Sequence, residues 1–127
     1  MNDTQKALSS PMFAALSELS FSSVMVTRAT EEHGASQVVY VNPQFTELTG
    51  YTSEEVLGKT PGMLQGPDTD QAVLDRLEDD LANDRTFHGK TTNYRKNGEA
   101  FEMEWKVRKV MDLDEAHYYI AVQREAS

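Results

Sequence analysis

Between residues 40 and 70 the chain is interrupted so often that no long element fits inside the stretch. Asn42-Pro43 sets a capping side chain ahead of a residue whose fixed φ suits a first helical turn, and Gly50 closes that turn. Thr52-Ser53-Glu54-Glu55 has the spacing of a capping box. The Thr52 hydroxyl serves one orphan amide and Glu55 reaches back to another, and Gly58 ends the turn. Pro61, Gly62, Gly66 and Pro67 then keep the backbone irregular up to Asp70. The expected product is a wall of short helices with Phe45, Leu48, Val56 and Leu57 turned inward, not a linker.

One long helix follows, over residues 69–81: Val73, Leu74, Leu77 and Leu81 recur at helical spacing, and Asp68 and Asp70 sit at its positive end. Its acids Asp75, Glu78, Asp79 and Asp80 read as a solvated face. Period-two segments flank this helical block. Residues 21–29 and 37–41 form a hairpin with a turn over 31–36, and residues 87–95, 100–110 and 117–124 form three further strands. Asn97-Gly98 is a hairpin signal between the first two of these, and residues 112–116 make the last turn. Upstream, Ser10-Pro11 opens a short helix with Met12, Phe13, Leu16 and Leu19 on one stripe. It packs on its own domain's sheet, or serves as a dimer-forming or signal-carrying helix.

The fold class is α+β: an antiparallel sheet of about five strands with helices on one face and a short N-terminal helix outside. Residues 1–20 read as a helical cap and 21–127 as a single domain, which the length of 127 residues allows. A net charge of −9 excludes nucleic acid and anionic membrane as main partners, because both would repel the surface. With no cysteine there is neither a disulfide framework nor a thiolate metal site. No apolar run is long enough to span a bilayer or serve as a signal segment, so the expected location is cytoplasmic. His33, His88 and His117 lie too far apart for a metal-ligand motif, and no nucleophile, phosphate-cradling loop or carboxylate pair is arranged for catalysis. The chain is expected not to be an enzyme.

Strand parity locates the chemistry. Side chains two residues apart share a face, so Asn93 lies with Phe87, Gly89 and Thr91, and Gln123 with Tyr119 and Ala121. Gly89 and Ala121 would leave room on that face, so both carboxamides are assigned inward, flanking the strand that carries Met103 and Trp105. A buried amide without a partner destabilises by about 1–3 kcal/mol. Either a small planar ligand satisfies the two, or neighbouring side chains, backbone or trapped water do.

Asn42-Pro43-Gln44-Phe45, Thr49-Gly50-Tyr51, Glu54-Glu55-Val56-Leu57-Gly58, Leu64-Gln65-Gly66-Pro67, Asp70, Asn93-Tyr94-Arg95-Lys96, Gly98, Phe101 and Val122-Gln123 together resemble a PAS domain of the light-oxygen-voltage subgroup. The resemblance implies the PAS fold and a sensory, signal-transducing role. It also implies a pocket between sheet and helices, where that subgroup binds flavin and forms a photochemical cysteine adduct. Here Pro61 stands in the cysteine's place, so no adduct forms. Gly62 and Glu78 stand where the subgroup has phosphate-binding arginines, and Thr60 and Met103 replace asparagines. Gln65 (toward a ribityl chain), Asn93 and Gln123 (toward the ring edge) are retained.

The expected function is therefore a sensory domain that binds a small planar heteroaromatic ligand near Gln65, Asn93, Gln123, Thr60, Pro61 and Met103. It would relay the change to a homodimer partner or to an output domain of kinase or transducer type. Two alternatives stand beside it. One is a cysteine-less flavin sensor of light or redox state; the other is a ligand-free dimerisation module with its pocket closed by Met103, Met63 and Trp105.

Overall fold

The computed structural model describes residues 10–30, 36–113 and 115–127. Helix α1 (Pro11–Glu18) precedes strands β1 (Ser23–Thr30) and β2 (Gln37–Val41). Helices α2 (Pro43–Thr49) and α3 (Ser53–Val56), a 3-10 turn (Pro61–Leu64) and helix α4 (Gln71–Ala82) form the middle of the chain. Strands β3 (Phe87–Tyr94), β4 (Ala100–Leu113) and β5 (Ala116–Glu125) complete it. The sheet is five-stranded, in the order β2-β1-β5-β4-β3, with every neighbouring pair antiparallel. The turn expected over residues 31–36 falls almost wholly outside the described residues, as do His33 and the first nine residues.

The short-helix wall forms as its residues dictate except at Leu57, which is expected to face inward but is 45% exposed, because it is the residue where α3 ends. The Asn42 side chain accepts from the Phe45 amide, and Gly50 ends α2 at φ 82°, which costs a glycine nothing. Thr52 and Glu55 make the reciprocal capping box of α3. Asp70 caps α4 by accepting from the Ala72 amide, so the helix starts two residues later than its apolar period suggests. The last turn is tighter than expected, because β4 runs on to Leu113 and pairs Asp112 with His117. A shift in register between Lys109 and Met111 accommodates the longer strand.

The main core lies between the inner sheet face and α2 to α4. Met25, Val38, Val41, Phe45, Val56, Leu64, Phe87, Phe101, Met103, Trp105, Val107 and Ala121 are all buried there. A second, smaller cluster of Val26, Ala116 and Tyr118 lies on the outer face, where Phe13, Tyr40, Met111 and Ile120 pack against it. That cover explains why β1 is buried along both faces from Ser23 to Thr27. Phe21, expected to begin β1, lies outside it and is 99% exposed.

Helix α1 sits on its own sheet through one edge of its apolar stripe, with Phe13 docked and the other stripe residues turned to solvent. Phe13 meets Tyr40 edge-on at 5.0 Å, the Ser17 hydroxyl lies 2.7 Å from the Tyr40 hydroxyl, and the Asn42 amide donates to the Ser17 carbonyl at 2.7 Å. Ser17 is the buried residue, while Met12, Leu16 and Leu19 are 73%, 70% and 80% exposed.

Candidate functional site

The inner sheet face carries one transverse row that defines the site. Gly89 pairs with Trp105, Trp105 with Gln123, and Gln123 with Ser23, across β3, β4, β5 and β1. Period-two alternation puts all four on the covered side. Asn93 and Thr91 lie further along β3, opposite Phe101 and Met103. Gln123, Asn93 and Met103 are all buried, as parity requires.

Sequence parity suggests room over Gly89, and here the structure differs. A Cβ on Gly89 would fall 2.5 Å from Phe87 Cζ and 2.7 Å from Arg76 Nη2. The Phe87 ring leans over the glycine and packs on Trp105 at 4.9 Å, tilted by 51°. Arg76 of α4 lies over that ring, 4.8 Å from its centroid, and donates through Nη1 to the His88 carbonyl at 2.8 Å. The glycine is required because a large residue on the next turn of the pleat already fills its space.

The two carboxamides have different partners. With its nitrogen turned to the Thr92 and Leu64 carbonyls, at 3.2 and 3.3 Å, Asn93 has both as acceptors. The reverse orientation offers it only the Met103 sulfur at 3.5 Å, a poorer acceptor than either carbonyl. Asn93 is thus served by the protein itself. In Gln123, Oε1 accepts from the Ser23 hydroxyl at 2.8 Å, while Nε2 is buried with no partner among the described residues. Gln123 is 1% exposed, so bulk water does not supply one.

The remaining expected site residues are not gathered around it. Thr60 and Gln65 are exposed at either end of the 3-10 turn, and Pro61 within it is half-buried, with Met63 packed against the core. Gly62 and Glu78 are exposed. Two clefts reach Gln123 from its edges: one of about 200 Å³ toward Trp105, His88 and Glu104, the other of about 240 Å³ toward Ser23, Leu48 and Arg95. Each is smaller than the roughly 300–1,000 Å³ of a drug-sized site. A tricyclic ring therefore needs Met103 or Phe87 to move, and the unbranched Met103 is the more adaptable of the two.

The chemistry present suits a neutral ring edge and not a phosphate. The orphaned Nε2 donor fits an acceptor on a heterocycle. Around α4, by contrast, Asp68, Asp70, Asp75, Glu78, Asp79 and Asp80 outnumber Arg76, so a phosphate there would be repelled. Sequence reasoning passed over Ser23, whose role depends on a partner a hundred positions away. It also passed over Arg76, which lies on the helix face that reads as solvated. Among the described residues no cluster of histidine and carboxylate groups is arranged to hold a metal, and no helix is long and apolar enough to cross a membrane.

Comparison with known proteins places this geometry. A family model described as "PAS domain" matches residues 22–127. A blue-light photoreceptor of Listeria innocua is 31% identical over 112 residues, which is 88% of this chain and 44% of that protein. A blue-light-activated histidine kinase of Erythrobacter litoralis is 44% identical over 64 residues, 50% of this chain and 18% of the kinase. The chain thus spans less than half the length of these relatives. A solved structure from work on a flavin analogue and the light-oxygen-voltage domain mechanism superposes with a TM-score of 0.80 at 26% identity, covering 95% of this chain and 88% of that one. The LOV domain of an Erythrobacter litoralis blue-light-activated histidine kinase superposes with a TM-score of 0.70 at 29% identity, covering 81% and 95%.

Proposed function

The chain belongs to the PAS domain family, in its light-oxygen-voltage-like branch, and from that premise we propose that it is a sensory signal-transduction domain responding to a small, planar heteroaromatic molecule. The molecule sits between the inner sheet face and helices α2 to α4, and the change passes to a homodimer partner or an output domain. The observation that carries this reading is the buried, partnerless Nε2 of Gln123. Left alone it costs about 1–3 kcal/mol, and a ring nitrogen or carbonyl oxygen removes that cost. A ligand that pairs differently with Gln123 in two states turns its amide and changes the end of β5, where Arg95 already holds Glu125 at 2.7 Å.

Flavin is one such heterocycle, and the names of the relatives support testing it first. Gln123 serves the ring edge with Met103 beside it, and Asn93 is already held by the protein. Thr60, Pro61 and Gln65, in and flanking the 3-10 turn, reach the ring only if that segment moves toward it. The phosphate end is not served, which favours riboflavin over its nucleotides. When bound, the ring supplies visible absorption and redox chemistry; with Pro61 in place of a thiol there is no cysteinyl adduct. The filled space over Gly89 favours a second reading, a ligand-free interaction module that associates through α1 and the outer sheet face.

The test is the visible absorption spectrum of the dark-purified protein, before and after blue light, followed by melting temperatures with riboflavin and a panel of monocyclic heterocycles. Flavin bands, or a melting temperature that rises with ligand concentration in the wild type but not in Gln123→Leu, support the ligand reading. A colourless protein whose melting temperature no compound moves overturns it and leaves the interaction module.

A further inference from the structure

We propose that Ser23 is a positioning residue for this pocket: its hydroxyl sets the polarity of the Gln123 carboxamide, so that the site presents a donor and selects ligands with an acceptor edge. The inference deepens the ligand reading above and rests on it for the ligand, though not for the amide's orientation.

Ser23 and Gln123 are direct partners across β1 and β5, 2% and 1% exposed, with the Ser23 hydroxyl 2.8 Å from Oε1. A carboxamide is nearly symmetric in shape, so something polar must choose which end faces inward. A serine hydroxyl both donates and accepts, and the choice follows from counting groups left without partners. As the pair stands, Ser23 O–H and Gln123 Oε1 satisfy each other and one buried atom, Nε2, is left over. In the reversed amide, Nε2 donates to Ser23 Oγ. The Ser23 proton then has no acceptor among the described residues, and Oε1 takes the partnerless inner position. The reversed state strands one more buried group, so the donor faces the pocket.

Ser23 cannot drift to relieve this, because the residues on both sides of it are pinned by one side chain. Asn42 Oδ1 accepts from the Val24 amide at 2.8 Å, and Asn42 Nδ2 donates to the Ser22 carbonyl at 3.1 Å. The same Nδ2 donates to Ser17 of α1, and the same Oδ1 to which Val24 donates also caps α2. The Ser23 hydroxyl is thereby held from the first strand, the first helix and the short-helix wall together.

The experiment is nuclear magnetic resonance on the intact, isotopically labelled chain, with Gln123 side-chain amide signals assigned by their loss in Gln123→Leu. The expected wild-type pattern is one set of amide protons with weak Overhauser contacts to Ser23 Hβ. Ser23→Ala, which removes the director, is expected to broaden or double that set, and Ser23→Thr, which keeps the hydroxyl, to restore it. Strong contacts from the Gln123 amide protons to Ser23 Hβ in the wild type, or an unchanged single set in Ser23→Ala, would overturn the proposal. A parallel titration with riboflavin, read by flavin fluorescence, should show about tenfold weaker binding in Ser23→Ala and near wild-type binding in Ser23→Thr. If riboflavin fails to bind the wild type, flavin as the ligand is withdrawn, while the Overhauser pattern still decides the role of Ser23.

Discussion

The ring of Tyr94 lies so close over Gly66 that a Cβ on Gly66 would fall 2.3 Å from Tyr94 Cε2. The phenol is fixed there because its oxygen accepts from the Asp68 amide at 3.0 Å, and Thr69 of the same loop donates to the Thr92 carbonyl at 2.7 Å. This clasp ties the segment between the 3-10 turn and α4 to the strand that carries Asn93.

Gly66→Ala should therefore lower stability by about 1–3 kcal/mol, the usual cost of forcing an extra methyl into a packed contact. Urea denaturation measures it. Placing the alanine in a Tyr94→Ala background should cost much less, and equal losses in the two backgrounds would show that the ring is not what excludes the side chain.

Asn42→Ala removes the cap of α2 and leaves the buried Val24 amide unpaired, and it also frees the Ser17 and Ser22 carbonyls. The expected loss is about 3–5 kcal/mol by denaturant unfolding. Asn42→Asp keeps both accepting roles and loses both donating ones, so it should fall between wild type and alanine.

On α1, Phe13→Ala should destabilise the fold, because Phe13 makes the helix's aromatic contact with the sheet at Tyr40. Leu16→Ser should leave stability within about 0.5 kcal/mol, as expected of an exposed surface site. If the chain associates through α1, sedimentation of Leu16→Ser should shift toward monomer at concentrations where the wild type is dimeric. A Leu16→Ser protein that unfolds as readily as Phe13→Ala would mean the helix docks through the Leu16 side of its stripe and not only through Phe13.

Glu55 should titrate near 2 instead of the usual 4.5, because Lys96 holds its carboxylate at 2.6 Å and the Thr52 amide donates to it. The folded value lies below the unfolded one. The stabilisation is therefore complete above about pH 4.5 and is lost as pH falls from there toward 2. The carboxyl carbon shift of Glu55 across that range reads the value directly, and Lys96→Met should raise it. A titration near 4.5 in the wild type would show that the exposed lysine does not hold the carboxylate in solution.

Much of this architecture could be read from neighbours in the chain. Asn42 and Pro43 specify α2 because the cap reaches only three residues on, and Thr52 with Glu55 does the same for α3. Gly50 stops a helix wherever its φ is positive. Alternation along β3 and β5 turned Asn93 and Gln123 inward without knowledge of the sheet order, since a pleated strand offers only two sides. The ends of elements were less legible, as with β4, whose extension to Leu113 is held by pairing with β5 and not by its own residues.

What the sequence could not supply were decisions made between distant segments. Of the apolar stripe of α1 only Phe13 reaches the sheet, and Ser17 is buried beside it, because the Tyr40 hydroxyl offers a hydrogen bond that a leucine side chain cannot make. Gly89 looked like empty space, and the Phe87 ring, held over it by Trp105 and Arg76 from two other elements, fills it together with the Arg76 guanidinium. Asn93 is satisfied by the Leu64 carbonyl of the 3-10 turn, while Gln123 is half satisfied by Ser23 from the far end of the chain. Local patterns determine which face a side chain takes, because capping and pleat geometry act over a few residues. Which groups then meet, and which amide is left with a hydrogen to give, depends on packing that only the folded sheet brings together.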